Sequence, residues 1–337
     1  MSGSSQPSPI HPLLWLLAAV LALTVVVLGA YTRLSDAGLG CPDWPGCYGH
    51  LAVPSGEAVE RANEAYAHRP LEPGKAWKEM IHRYAAGALG LMVLGLTVAS
   101  WRRRVGRLLA TALLVLIVFQ AALGMWTVTL MLKPVVVMGH LLGGLSVLSL
   151  LWLGYLGARS YVPDRRAVRP PALLRRLAVG AIVVLGLQIA LGGWTSANYA
   201  ALACPTFPKC LGEWWPHMDM ADGFVLWRGL GVNYEFGVLD SPARVAVHMA
   251  HRAWALVTLV YLAATATLVV RRTSGSLRTI GWVLWLVLLT QVSLGIANVW
   301  FSLPLPVAVA HNAVAAVLLL TVLTLVHTLY RSGKTRG

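Results

Sequence analysis

Charged side chains are scarce in this sequence. Asp, Glu, Lys and Arg make up 12% of the 337 residues, whereas hydrophobic residues make up 57% and the mean hydropathy is +0.67. A chain of this length with so little charge does not form a water-soluble fold, so we predict an integral membrane protein. The net charge of +14 does not indicate nucleic-acid binding, because the basic residues are concentrated in short connections between apolar runs.

The N-terminus lacks the features of a targeting signal. No basic segment precedes the first apolar run, and this run is longer than the apolar core of a secretory signal peptide. An Arg-rich amphipathic stretch typical of organelle import is missing as well. We therefore predict that the first run remains as a membrane span and that the protein lies in a bacterial cell (inner) membrane.

Apolar runs long enough to cross a bilayer, which takes about 20 helical residues, recur along the chain. The eight runs are 13–31, 80–101, 108–127, 135–157, 177–196, 246–269, 279–299 and 307–330. The predicted fold class is therefore an all-α integral membrane protein with eight transmembrane helices.

An internal duplication divides the chain into two halves of four spans. The matching blocks are 28–32 with 191–195, 41–47 with 204–210, 82–83 with 251–252, and Gln120, Leu123, Gly124 and His140 with Gln291, Leu294, Gly295 and His311. Chance does not give several aligned blocks in one order. Because each half has an even number of spans, we predict two parallel-repeat four-helix bundles related by a pseudo-two-fold axis along the membrane normal. The predicted halves are 1–165, with outer loop 32–76, and 166–337, with outer loop 197–244.

Lys and Arg are concentrated on one predicted side of the membrane. The connections 102–107, 158–176 and 270–278 and the tail from Arg331 are rich in basic residues and contain a single acidic residue. Basic connections mark the cytoplasmic side, so both termini are predicted to be cytoplasmic. Arg33, directly after the first span, is a local signal in the opposite direction, but the summed asymmetry outweighs it.

The four cysteines form two C-x5-C pairs in the predicted outer loops. Neither pair has a second ligand pair at zinc-finger spacing, which argues against zinc. Disulfides persist on the outer side of the membrane, so we predict Cys41–Cys47 and Cys204–Cys210 bonds. The sequence leaves open whether these bonds only brace the loops or also take part in redox or substrate-transfer chemistry.

Four histidines occupy matching positions in the even-numbered predicted spans. They are His82 and His140 in the first half and His251 and His311 in the second. Each lies a few residues inside its span, where an imidazole without a partner would be costly. Two histidines that face each other across a helix bundle commonly serve as the axial ligands of a haem iron. A single histidine in a membrane span equally often forms only an interhelical hydrogen bond, but four such histidines at matching positions favour two haem-iron sites.

The neighbours of these histidines suggest further roles. Arg83 and Arg252 directly follow the first ligand histidine of each half and suit a haem propionate, although an interfacial arginine can also simply extend to water. One turn before that histidine, Glu79 in the first half aligns with His248 in the second. An acid beside iron can relay protons or stabilise a cation, but acids are also favoured at helix N-termini. The sequence leaves both interpretations of Glu79 open.

The combined features resemble the haem A synthase family over nearly the whole chain. The likeness rests on the eight spans, the loop TRLSDAGLGCPDWPGCYG (32–49), the motif KEMIHR (78–83), His140, the second cysteine pair, His251-Arg252 and His311. It implies oxidation of the C8 methyl group of haem O to a formyl group, which gives haem A for terminal oxidases.

The same resemblance implies roles for the residues. It implies that His251 and His311 ligate a haem b that transfers electrons. It also implies that the substrate haem O binds near His82 and His140, with Glu79 as a functionally important acid. The expected partners are haem O, the haem O synthase that makes it, an electron donor and the lipid bilayer, with no nucleic acid. The identity of the electron donor stays open between a quinol, a ferredoxin and the outer thiols. The oligomeric state also stays open, and a homo-oligomer is one alternative.

Two other function classes are alternatives. A di-haem b-type membrane electron-transfer protein would hold a permanent haem at each histidine pair. A parallel-repeat transporter would use the histidines as a proton or metal relay. The halves lack the matching Gly/Pro interruptions that a midplane transport site needs, which argues against the transporter.

Overall fold

A computed structural model of the chain describes residues 10–159 and 171–331. Within these residues the long regular elements are helices, and eight of them are long and apolar enough to cross a membrane. The predicted all-α membrane fold is confirmed. The predicted boundary between the halves, at residues 165 and 166, lies outside the described residues, as do both chain termini.

Each of the eight predicted spans corresponds to one helix, and each helix is longer than predicted. The long helices are α1 (Pro12–Leu34), α3 (Pro73–Arg103), α4 (Arg107–Thr129), α5 (Pro134–Ala158), α6 (Ala172–Ala197), α8 (Ser241–Arg272), α9 (Gly275–Trp300) and α10 (Leu305–Arg331); α2 (Ala58–Ala65) and α7 (Met220–Gly223) are short helices in the long loops. Proline begins α1, α3 and α5, because its fixed φ suits the first turn and its missing N–H has no partner there anyway.

The four long helices of each half form a ring. In the first half α1 and α4 each pack against both α3 and α5, and in the second half α6 and α9 each pack against both α8 and α10. Among the described helices, α3 does not pack on α5 and α8 does not pack on α10, so these helices face each other across their bundles. All four predicted histidine ligands lie on these facing helices. The two-fold axis along the membrane normal stays a prediction.

Close packing fixes the helices around the first bundle. Trp15 of α1 is 5% exposed and lies against Gly154 of α5, where a Cβ atom would collide with its ring. The two helices can approach this closely only because position 154 has no side chain. This contact therefore fixes the separation of α1 and α5 at the end of the bundle away from the histidine pair.

The long loops of the two halves are tied together at one end of the bundles. Arg69 forms an ion pair with Glu235 in which Nη2 and Oε2 are 2.7 Å apart. The hydrogen bond to Glu235 raises the pKa of Arg69 above its ordinary value, against the opposing effect of burial. Arg33, at the end of α1, donates a 2.6 Å hydrogen bond to the carbonyl oxygen of Ser196. Both contacts join the first half of the chain to the second.

A buried lysine marks where the second-half loop lies on the first half. Lys133, 1% exposed, precedes α5 and donates to the carbonyl oxygen of Gly229, and its Nζ lies 3.3 Å from the ring centre of Trp227. The backbone N–H of Tyr234 donates to the carbonyl oxygen of Met131 at 3.0 Å. A buried ammonium is stable only with such partners, so the loop is held firmly over the first bundle.

Candidate functional site

The first predicted histidine pair meets in the middle of the first bundle. His82 on α3 and His140 on α5 have ring centres 6.4 Å apart and ring planes at 87°. Within the described residues, the buried Nδ1 atom of each ring makes no hydrogen bond. Two imidazoles therefore face each other with polar atoms that have no protein partner.

This spacing fits ligation of one iron by both rings. A metal–imidazole bond is about 2 Å long and a ring nitrogen lies about 1 Å from its ring centre, so two axial imidazoles have centres about 6 Å apart. A haem supplies the remaining iron ligands, so two histidines suffice. In the parts of the chain that the structure describes, no larger group of His, Cys, Asp or Glu forms a metal-binding cluster. The residues present fit a haem.

The second predicted pair lies on α8 and α10. These two helices face each other across the second bundle, as α3 and α5 do in the first. Glutamines of the neighbouring helices contact both rings: Gln188 Nε2 lies 3.1 Å from Nδ1 of His251, and Gln291 Nε2 lies 3.2 Å from Nε2 of His311. The structure thus brings His82 and His140 together and places His251 and His311 on facing helices of the second bundle.

Each of the four rings lies against a glycine of a neighbouring helix. A Cβ atom added to these glycines would lie close to the Cε1 atom of the ring: 3.0 Å for Gly29 and His82, 3.6 Å for Gly124 and His140, 3.1 Å for Gly192 and His251, and 3.1 Å for Gly295 and His311. At three of the four positions this is closer than ordinary van der Waals contact. The glycines therefore let the imidazoles lie directly on helix backbone.

Glu79 connects the first site to the first cysteine loop. It is buried on α3, one turn before His82. Its Oε2 accepts a hydrogen bond from the backbone N–H of Cys41 at 2.9 Å, and its Oε1 lies 2.5 Å from Nη2 of Arg83. A buried ion pair thus lies beside His82, the first of the predicted ligands.

His248 faces the equivalent two groups in the second half. The backbone nitrogen of Cys204 lies 3.3 Å from Nδ1 of His248, and Nε of Arg252 lies 3.0 Å from Nε2. Both neighbours are donors, and a neutral imidazole accepts at only one nitrogen, so only one of these contacts is a hydrogen bond at a time. Glu79 accepts hydrogen bonds from both of its donors. The two residues therefore occupy equivalent positions, but only the carboxylate can accept from both neighbours at once.

Comparison with known proteins establishes the family. The COX15-CtaA family of cytochrome oxidase assembly proteins matches residues 13–323. The chain belongs to this family. A protein named "Heme A synthase" from Shewanella oneidensis is 48% identical over 330 residues, which cover 95% of this chain and 98% of the relative. Proteins of the same name from Rhizorhabdus wittichii and Halalkalibacterium halodurans are 32% and 26% identical, and the matches cover 98% and 94% of this chain and 97% and 96% of the relatives.

Both predicted disulfides are present in this member of the COX15-CtaA family. Cys41 is bonded to Cys47 and Cys204 to Cys210, and all four residues are fully buried. Each loop also closes with a short antiparallel bridge just after its second cysteine. The two loops therefore have the same construction, and they pack on α3 and α8, which carry His82 and His251.

The arginines that follow His82 and His251 bind these loops. Nη1 of Arg83 lies 2.5 Å from the carbonyl oxygen of Gly46, and Nη2 of Arg252 lies 2.7 Å from that of Cys204. Each guanidinium thereby fixes a cysteine loop to its helix. Their predicted binding of haem propionates stays a prediction.

A five-residue motif occurs four times in this COX15-CtaA chain, twice in each half. It begins with Gln or Val, has Leu at its fourth position and ends with one of the four ring-contacting glycines. The copies are VVVLG (25–29), QAALG (120–124), QIALG (188–192) and QVSLG (291–295). A search for repeats inside each half finds it. The motif adds Gln120, Gln188 and Gln291 to the residues of the candidate site.

Proposed function

We propose that this protein is a haem A synthase, which oxidises the C8 methyl group of haem O to a formyl group and so provides haem A for terminal oxidases. The observation that carries the proposal is a buried, haem-compatible histidine pair in a chain that is 48% identical over 95% of its length to a protein of that name. Conversion of methyl to formyl is a four-electron oxidation of one carbon, which requires both electron and proton acceptors near the substrate.

The first half, residues 1–165, is the reactive half. His82 and His140 hold haem O, and their spacing supports this assignment. Glu79 lies one turn from His82, where a carboxylate oxygen can take up a proton that leaves the reacting carbon or stabilise positive charge that develops there. Arg83 orients that carboxylate through their ion pair.

The second half, residues 166–337, transfers electrons. His251 and His311 hold haem b, which supplies one-electron transfer when bound. The presence of His248 where the first half has an acid supports this division of labour, because the second site then lacks a carboxylate beside its iron. The asymmetry is local, since Arg252 and the cysteine loop occupy the same places as in the first half.

The proposed setting is the inner membrane of a bacterium, with both termini in the cytoplasm. Eight apolar helices support the membrane assignment, and large aliphatic side chains such as Leu91 and Leu108 lie exposed on the outside of the bundle, where lipid would cover them. The proposed partners are the haem O synthase that supplies the substrate and an electron-transfer partner, a quinol or a ferredoxin.

Absorption spectroscopy of the purified protein tests this function. We expect wild-type protein to show a low-spin, six-coordinate b-type spectrum that His251→Ala and His311→Ala abolish. We expect His82→Ala and His140→Ala to keep this spectrum and to lose haem A formation, measured by extraction and identification of cellular porphyrins.

Other results would favour the alternatives. Two permanent b haems of equal occupancy, with no haem A formed, would indicate a di-haem electron carrier. A colourless wild-type preparation would overturn the haem assignment and favour transport.

A further inference from the structure

We infer that Gln188 is a positioning residue for His251, and that Val25 in its place in the first half makes the two haem sites unequal. This inference rests on the proposed function, because it concerns the haem b that the proposal assigns to His251. It concerns how tightly each half holds its porphyrin, which the histidine pairs alone do not determine.

Gln188 and Val25 occupy equivalent positions. Each lies four residues before the glycine that contacts the first ligand histidine of its half, and so projects from the same face of its helix one turn away. The two remaining copies of the motif carry Gln120 and Gln291 at this place. Val25 is thus the one member of the set without an amide.

The side chain of Gln188 lies against the edge of the His251 ring. Its amide nitrogen is 3.1 Å from Nδ1, the nitrogen that would not bind iron, and 3.4 Å from Nε2. Gln291 lies nearest to Nε2 of its histidine, His311. Within the described residues, the Nδ1 atoms of the other three ligand histidines make no hydrogen bond.

A contact to Nδ1 matters because an imidazole that binds iron through Nε2 carries its proton on Nδ1 and must donate it. The oxygen and nitrogen of a glutamine amide exchange places when the amide turns by half a rotation. The Oε1 atom of Gln188 is buried and has no other partner in the described chain. It therefore accepts the Nδ1–H of His251 when that ring ligates iron. Such an acceptor fixes the tautomer and rotation of the ring and makes it a stronger electron donor to the metal.

The first half lacks this support. The side chain of Val25 cannot accept a hydrogen bond, so only its main-chain carbonyl could accept one from His82, and Nδ1 of His82 makes no hydrogen bond within the described residues. His82 therefore lacks the side-chain acceptor that His251 has, although its ring lies against Gly29 in the same way as that of His251 lies against Gly192. Outer partners of this kind change metal affinity by about 10- to 100-fold. Weaker binding at His82 suits a site that must release its porphyrin after oxidation. Stronger binding at His251 suits a haem that remains bound.

Redox titration of haem b in purified variants tests the inference. In Gln188→Val the oxidised iron loses its stronger donor, so we expect the ratio of oxidised to reduced haem b at a fixed potential to fall about tenfold, which is about 59 mV for a one-electron couple. Gln188→Glu supplies a stronger acceptor and should shift the ratio the other way. Val25→Ile, the matched control, should leave the haem b potential unchanged.

The reciprocal variant probes the first half. Val25→Gln gives His82 the partner that His251 has, so we expect more haem O and haem A to copurify with the protein while the haem b potential stays the same. Extraction of porphyrins from equal amounts of wild-type and variant protein measures this retention. Equal retention would contradict the assigned difference between the halves.

The outcomes distinguish this inference from the function on which it rests. An unchanged potential in Gln188→Val, with haem b still bound, would overturn the inference and leave the haem A synthase proposal intact. If Gln188→Val loses haem b altogether, the haem b potential of Gln188→Glu decides. A potential below that of wild type supports the inference. A potential equal to or above that of wild type overturns it. A wild-type protein without b-type haem would overturn the proposed function itself.

Discussion

Glu79 and His248 contact the same pair of groups in their respective halves, a backbone N–H of a cysteine loop and an arginine. Two donors suit a carboxylate, which can accept from both, and conflict with an imidazole, which can accept from one. The loop in the second half is nevertheless held, because Arg252 also donates to its carbonyl oxygens. The acid is therefore not required to build such a loop, which supports a chemical role for Glu79.

Replacement of Glu79 by glutamine separates its structural and chemical roles. The amide oxygen can still accept from the N–H of Cys41, but the side chain has no charge and cannot take up a proton. We expect haem A formation to fall at least about 100-fold, as on loss of a general acid–base group, while haem b absorbance per protein is unchanged. Extraction of porphyrins and the reduced spectrum measure the two quantities.

The control for this experiment is His248→Gln, which makes the equivalent change in the other half. We expect it to form haem A at close to the wild-type level. Wild-type turnover in Glu79→Gln would reduce Glu79 to a contact that holds the loop.

At the scale of helices, the four ring-contacting glycines determine how closely α1, α4, α6 and α9 approach the four predicted ligand histidines. Alanine raises helix stability by roughly 1 kcal/mol relative to glycine in a helix interior, so a loss of function on substitution cannot be ascribed to a weaker helix. The distances differ among the four sites, which allows a graded test.

Alanine substitution of these glycines should have effects that follow the distances. Gly192→Ala places a Cβ atom 3.1 Å from Cε1 of His251 and should lower haem b content, because the ring must move. Gly29→Ala, at 3.0 Å from His82, should lower haem A formation and keep haem b. Gly124→Ala, at 3.6 Å, is the control and should have the smallest effect, since this is ordinary contact. Equal effects at all three sites would contradict the role assigned to the glycines.

The sequence predicts the helices well and several of their ends poorly. Apolar runs identify all eight spans, but Lys75 and Lys78 interrupt the apolar pattern, so the sequence places the start of α3 at residue 80 and not at Pro73. The extra turns carry the contacts to the cysteine loop. Short helices such as α2 carry no apolar run of their own, and their positions depend on tertiary contacts that a pattern of single residues does not encode.

Some features of the candidate site can likewise be predicted from the sequence, and others cannot. The histidine pairs and disulfides follow from residue type, spacing and duplication. The role of Gln188 could not be predicted, because it depends on which ring nitrogen a side chain of a neighbouring helix reaches. The contacts of Arg83 likewise depend on the path of a loop that lies about 40 residues earlier in the chain, here the carbonyl oxygens of Asp43 and Gly46.

At the scale of the whole molecule, the long loops join two bundles that otherwise meet along α1, α5, α6 and α10. The ion pair of Arg69 and Glu235 is partly buried, with side chains 27% and 13% exposed. The pair of Lys75 and Glu72 is local and more exposed, at 32% and 64%. The two pairs provide a comparison between an ion pair that connects the halves and one that does not.

Removal of the connecting carboxylate should destabilise the protein measurably. We expect Glu235→Ala to lower the free energy of unfolding by about 1 to 2 kcal/mol, above the value of up to about 1 kcal/mol typical of exposed pairs, because Arg69 is left partly buried without its partner. Glu72→Ala should have no measurable effect. Thermal unfolding of the two purified variants beside wild type measures the difference, and equal midpoints would show that this ion pair does not stabilise the connection between the halves.

Two independent features bear on the orientation of the whole chain in its membrane. The basic connections between helices favour the cytoplasmic side for both termini, and the two disulfides require that the long loops at the opposite end lie in an oxidising compartment.

A fluorescent protein that folds only in the cytoplasm, fused after residue 337, should therefore fluoresce, whereas alkaline phosphatase at the same point should be inactive. Fusions within the loop at residues 50–56 should give the reverse result. An active phosphatase at the C-terminus would place the cysteine loops in the reducing cytoplasm, and the charge asymmetry and the disulfides would then both need another explanation.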